Sequence, residues 1–246
     1  MIKTIKDKLY ITKEWMKKLF IYPQNTIIPG EHFNYDEYWK KRRGIKYMGR
    51  LGDWQRERAV LASKIISNSN GKVVNDVGSG AGEVMKFIKD HASIEKAICY
   101  DSSEYALEMA KSFGLETKLF DINKPGEFSN IEEADFTVMF EILEHIPGPE
   151  ELLKKVCEKS RIGVLFSFPN TGFIIHRFRL LFGKFPLQWT VHPGEHLRFW
   201  TKADLIWWLK AQGYHKYRIY YYVGVPLLKD IWPSMFCAGF FVEILK

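Results

Sequence analysis

Short apolar runs with strand character recur along the chain between stretches of helical periodicity, and this alternation predicts βα units closing on a parallel sheet. Seven strands are expected: KVVNDV from Lys72, KAICYD from Lys96, ETKLFD from Glu116, ADFTVMF from Ala134, RIGVLFSFP from Arg161, HKYRIYYY from His215 and CAGFFVEIL from Cys237. Helices fit between the first five, one opening at Gly82, one running from Ser103 to Lys111 and one reading PEELLKKVCEK from Pro149. Ser102 and Ser103 are both suited to cap the second. The predicted fold class is α/β, with a doubly wound, mostly parallel, seven-stranded sheet.

The alternation stops after Pro169, where NTGFIIHRFRLLFGKFPLQWTVHPGEHLRFW precedes a helix beginning TKADLIWWLK. We read an N-terminal helical cap over residues 1–60, a catalytic domain over 61–246, and a lid-like insertion over 170–200, after the fifth strand. No internal repeat or low-complexity tract is present.

Composition narrows the class without naming a chemistry. With 46% hydrophobic and 26% charged residues among 246, one full core is expected. The first residues interleave Lys with apolar side chains and do not form a signal-peptide core. The most apolar segments fall short of the ~20 residues needed to cross a bilayer. Cys99, Cys157 and Cys237 form no C-x-x-C pair and read as core residues of a reducing compartment. A cytoplasmic location is expected, with peripheral contact to the inner membrane face as a further option. The formal charge of +7 favours an anionic partner, or reflects only Lys-rich solvated helices.

Chemistry enters at VVNDVGSGAG. Gly78, Gly80 and Gly82 follow an apolar strand and open a helix, which turns the backbone sharply and lets a ligand approach closely. A dinucleotide loop would space its third glycine one residue later. Asp76, just ahead of the loop, would repel a pyrophosphate but suits a cofactor carrying an ammonium and a sulfonium. A dehydrogenase reading also lacks its Tyr-x-x-x-Lys pair, since neither Tyr105 nor Tyr214 has Lys four residues on.

This acidic residue and G-x-G-x-G loop resemble the first motif of class I S-adenosylmethionine-dependent methyltransferases. The resemblance extends through Asp101 at the second strand's end, Asp121 in LFDIN, and FEILEHIPGPEELLKKV after the fourth strand, which is similar to the type 11 and quinone-biosynthesis O-methyltransferase branches. It implies the Rossmann-like methyltransferase fold and S-adenosylmethionine as cofactor. The implied cofactor residues are Asp76, Gly78, Ser79, Gly80, Gly82, Asp101, Ser102, Asp121, Ile122 and Glu141, with Asp101 on the ribose hydroxyls and Asp121 on the adenine amino group. Gln55, Arg56 and Arg58 are candidates for the methionine carboxylate, or are surface helix charges.

Glu141, Glu144 and His145 form E-x-x-E-H at the carboxyl edge of the sheet, where open α/β folds bind ligands. His145, His196 and Glu141 are the expected catalytic residues, a histidine acting as base or polarising group. Glu141, Glu144, His145 and His196 are also a candidate set for a divalent ion, with His192 as another supplier, although a bound metal is not the expectation. That set resembles the small-RNA 2'-O-methyltransferases, whose downstream His precedes F-x-W-T; here the segment is HLRFWT, with the Trp displaced by one.

The expected reaction is O-methylation of a small or lipid-linked acceptor. An RNA 2'-O-methyltransferase and a non-catalytic cofactor-binding scaffold are the alternatives. Arg177, Arg179 and Lys184 lie among large apolar residues of the insertion, in a pattern that fits an amphipathic helix covering the pocket or lying on a membrane. No separate RNA-binding module is present, and the pattern leaves the oligomeric state open.

Overall fold

The computed structural model describes Asp36, Trp39, Lys40, residues 50–188 and residues 196–246. Helix α1 (Asp53–Asn68) leads into β1 (Val73–Val77), α2 (Glu83–His91), β2 (Lys96–Asp101), α3 (Glu104–Ser112) and β3 (Glu116–Leu119). There follow β4 (Ala134–Phe140), α4 (Pro149–Lys159), β5 (Ser160–Pro169), α5 (Ile174–Leu181), α6 (Lys202–Ala211) and β6 (Tyr217–Gly224). Two single turns, α7 (Leu228–Ile231) and α8 (Pro233–Phe236), lead into β7 (Cys237–Leu245).

The seven strands form one sheet in the order β3-β2-β1-β4-β5-β7-β6, parallel except for β7, which runs antiparallel to both neighbours. All seven predicted strands exist. β2, β4 and β7 have the predicted bounds, because their apolar runs are buried almost throughout. β3 is shorter than predicted. It ends at Leu119 because the Asp121 carboxylate accepts a hydrogen bond from the Asn123 backbone N–H at 2.9 Å, closing a turn that competes with further pairing.

Alternating strand residues feed two cores. Val74, Phe136 and Phe241 pack with Ile66 of α1, Ile88 of α2 and Leu107 of α3. Val77, Phe166 and Phe240 pack with Leu152 of α4 and Leu209 of α6. Helices therefore cover both faces of the sheet, and the chain changes direction between β1 and β4. In such folds the crevice at that switch point, outside the carboxyl ends of the strands, is where ligands bind.

α5 departs from the predicted amphipathic pattern. Arg179, expected with Arg177 and Lys184 on a polar face, is wholly buried, and its Nε donates to the Phe185 carbonyl at 2.8 Å. The guanidinium holds the turn after the helix, and the neighbouring Leu and Phe side chains point outward instead. Among the described residues no helix is long and apolar enough to cross a membrane. Cys99, Cys157 and Cys237 are all buried and free.

Candidate active site

The glycine loop is built by backbone geometry. Gly78, Gly80 and Gly82 have φ of +76°, +54° and +78°, a region that L side chains adopt only at a cost. The Gly78 and Ser79 amides donate to the Tyr100 carbonyl at 2.8 and 3.1 Å, pinning the loop to β2. A Cβ on Gly78 would collide with Ile142, and one on Gly80 with the ring of Trp39. Gly82 caps α2 and lies so close to α3 that a Cβ would come within 2.8 Å of Ala110.

Asp101 lies across from the loop. Its Oδ2 accepts from the Gly80 amide at 2.7 Å and its Oδ1 from the Ser103 amide at 2.9 Å. Ser103, rather than Ser102, caps α3, its hydroxyl accepting from the Ala106 amide at 3.1 Å. Asp36 accepts from the Ser103 hydroxyl at 2.5 Å and from the Tyr105 amide at 3.2 Å, so an N-terminal segment meets the same helix start. Burial raises the Asp101 carboxyl against its backbone donors. Asp76 is buried within β1, and burial together with the Asp101 charge, opposed by Arg58, pushes its carboxyl up to about 7. Ser102 is exposed nearby, Asp121 follows the end of β3, and Ile122 packs against the adjoining core.

A second group gathers at the end of β4. Glu141 follows β4 with φ of +58°, uncommon for a residue with a side chain. Its Oε1 accepts from Tyr222 Oη at 2.7 Å and Ser167 Oγ at 2.9 Å, and stands 3.3 Å from Arg58 Nη1. Burial lowers the Arg58 pKa, but Glu141 and Tyr222 outweigh it and the net shift is upward. The Tyr222 hydroxyl is pushed well above its ordinary value by burial and then by the Glu141 charge. Of the three candidates on α1, Arg58 is buried here, Arg56 is exposed, and Gln55 accepts the Gly52 amide at 3.0 Å.

The third group is Glu144, His145 and His196, whose ligand-type atoms all lie within 4.8 Å of one another. A 3-10 turn, Leu143–His145, carries the first two. His196 is brought in because the amides of Leu197 and Arg198 donate to the Glu144 carbonyl at 2.7 and 3.1 Å. The two imidazoles meet edge to face, centroids 4.7 Å apart. Both Glu144 carboxylate oxygens and His196 Nδ1 are buried with no hydrogen-bond partner, and His145 Nε2 stands 3.9 Å from Glu144 Oε1. Burial, and then the Glu141 charge, drives the Glu144 carboxyl well above its usual range. Burial and the His145 ring push His196 down to about 3.

The structure thus brings together three of the four residues in the candidate ligand set. Glu141 lies before the 3-10 turn rather than one helical turn from Glu144, so its carboxylate goes to Arg58, Tyr222 and Ser167. His192 lies outside the described residues. The sequence pattern does not mark Ser167 as a site residue, and Tyr222 reads only as one of a cluster of aromatics that line a pocket or fill the core. Period-2 alternation does place Tyr220 and Tyr222 on one face of β6, but nothing in the pattern names Glu141 as the partner across the sheet.

A sheet that changes winding direction between β1 and β4, three left-handed glycines and acidic residues at or near the ends of successive strands are the features of the class I S-adenosylmethionine-dependent methyltransferases. The chain belongs to the family described by the Methyltransferase domain model, which matches residues 38–218. It is 25% identical over 152 residues to the ubiquinone biosynthesis O-methyltransferase of Coxiella burnetii, an alignment covering 58% of this chain and 63% of that protein. It thus spans less than two thirds of that relative's length. In fold it is similar to a SAM dependent methyltransferase from Archaeoglobus fulgidus, with a TM-score of 0.60 and 16% identity, over 87% of this chain and 100% of that one. It is also similar to the methyltransferase domain of bacterial CtHen1, with a TM-score of 0.56 and 18% identity, over 78% and 100% of the two chains. The chain thus carries the methyltransferase domain of that family.

Proposed function

We propose that the protein O-methylates a small-molecule acceptor whose hydroxyl is received by Glu144, His145 and His196. The convergence of buried Glu144 with half-buried His145 and His196 at the carboxyl edge carries the reading. Methyl transfer from a sulfonium is an in-line displacement, so the protein must align the nucleophile and exclude water. A hydroxyl also requires proton removal or polarisation.

The orphaned oxygens of Glu144 and the bare Nδ1 of His196 fit a divalent cation, one carboxylate and two imidazoles being a donor set for a transition ion. Glu144, His145 and His196 would hold it, and when bound it supplies Lewis acidity toward the acceptor oxygen. The chain's own share is separate. Glu144, its carboxyl pKa driven up by burial, and the two imidazoles offer hydrogen-bonding and ligating atoms that orient and polarise the acceptor hydroxyl. Asp101 and the glycine loop are assigned to the cofactor. One further feature supports a small-molecule acceptor over RNA: the 25% identity to a ubiquinone biosynthesis O-methyltransferase.

Calorimetry with Mn²⁺ tests the cluster without an acceptor. One ion per chain is expected, with binding abolished in Glu144→Gln and in His196→Ala, and S-adenosylmethionine affinity unchanged in both. With catecholic and phenolic probe acceptors, release of S-adenosylhomocysteine should fall by about 100-fold in His196→Ala, as for loss of a proton-transfer or polarising group. Full activity in His196→Ala would refute the assignment.

A further inference from the structure

The exposed side chains of α5 and the turn after it are the wrong way out for a protein surrounded only by water. Arg179 is 0% exposed, whereas Leu181 and Phe182 are 74% and 67% exposed, and Phe178, Leu180 and Phe185 are exposed beside them. Singly, such residues are ordinary; five in eight positions with the guanidinium inside are not. A second group stands on the β6–β7 connection, where Leu227 and Ile231 are 80% and 78% exposed and Trp232 projects as well.

The two groups rise from the same edge of the sheet. Asn170, at the foot of α5, donates to the carbonyls of Ser234 and Cys237 at 3.3 and 2.8 Å, tying the end of β5 to α8 and the start of β7. The edge is also the one that carries the site: Phe185 meets Phe199 with ring centroids 5.3 Å apart, and Phe199 meets His196 at 6.4 Å. Aromatic rings therefore run from the exposed turn to the catalytic cluster. Charge identifies the partner. With Arg179 inside, residues 170–188 present Arg177 and Lys184 and contain no acidic residue, and the whole chain carries +7.

We infer that this edge docks on an anionic bilayer surface, with Leu181, Phe182 and Phe185 seated among the acyl chains and Leu227, Ile231 and Trp232 as a second contact. Docking of this kind turns the mouth of the site toward the lipid. It deepens the proposed O-methylation by assigning it a lipid-linked acceptor.

The test is co-sedimentation of the full chain with vesicles of phosphatidylcholine alone and of phosphatidylcholine mixed with phosphatidylglycerol. Binding to the mixed vesicles is expected, weakened by salt, and reduced at least about tenfold by Leu181→Glu with Phe182→Glu, at unchanged S-adenosylmethionine affinity. Brominated lipid should quench tryptophan fluorescence in the unmodified protein, and less so in Trp232→Phe. No vesicle binding, or binding indifferent to phosphatidylglycerol, overturns the inference. So does a concentration-dependent dimer that the double variant dissociates, since a second copy would then cover the edge. Vesicle binding is read without methyl transfer, so its failure leaves the proposed reaction to the Mn²⁺ and His196 experiments.

Discussion

Replacing Arg58 by Met is expected to destabilise the fold by about 2 to 4 kcal/mol, roughly 5 to 15 °C in Tm for a chain of this size. Arg58 is buried on α1, 3.3 Å from the Glu141 carboxylate. Its removal leaves that carboxylate, among the described residues, with the Tyr222 and Ser167 hydroxyls at 2.7 and 2.9 Å. The cost is an uncompensated charge rather than a lost contact, so the double variant Arg58→Met with Glu141→Gln should recover much of it. Glu141 also has a φ of +58°, with its amide bonded to the Ser167 carbonyl at 2.9 Å, so the side-chain network anchors a residue already in a conformation uncommon for one with a side chain. Thermal unfolding of the four proteins of this cycle checks the expectation. A coupling energy near zero would show that Arg58 and Glu141 are independent.

That network marks the boundary of what the chain's pattern discloses. The strands were legible because burial on both faces writes continuous apolar runs, as in ADFTVMF and CAGFFVEIL, and the glycine loop was legible because positive φ selects glycine. Arg58 and Arg179 were not. An arginine in a helix reads as solvated until its acceptors are known, and these lie far away in sequence, on Glu141, or in a backbone carbonyl, that of Phe185. Glu141 and Glu144 looked equivalent at a spacing of three. The local backbone separates them, because the turn begins after Glu141 and its carboxylate crosses to β6. The Glu144, His145 and His196 group was anticipated as residue types, but their meeting depends on the Leu197 and Arg198 amides bonding to the Glu144 carbonyl, a contact that no periodicity encodes.

Substituting Asp76 or Asp101 should change cofactor binding most, and the two should differ in what they do to the empty protein. Asp101→Ala is expected to weaken S-adenosylmethionine by about 1.5 to 3 kcal/mol, or roughly 10- to 150-fold in Kd, if both ribose hydroxyls donate to the carboxylate. It also frees the Gly80 amide, which Asp101 now accepts at 2.7 Å, so the loop loses its brace as well as its ligand contact. Asp76 adds a pH signature. Burial, with the Asp101 charge, pushes its carboxyl from 3.8 up to about 7. The empty folded state therefore holds a proton that the unfolded chain has lost, and its stability declines as pH rises from about 4 to about 7. The size of that loss is about 2 to 4 kcal/mol.

A cofactor ammonium opposes this trend, because it favours the ionised carboxylate. Affinity should rise with pH, by about tenfold per unit below 7, and level off above it. Asp76→Asn should then stabilise the empty protein at pH 8, weaken cofactor binding there, and flatten both pH profiles. Calorimetric titration and thermal unfolding between pH 6 and 8 read the two effects separately. A variant that loses affinity without gaining stability would place Asp76 in the fold's architecture rather than at the ammonium. A gain in stability with unchanged affinity would show that the buried charge serves neither.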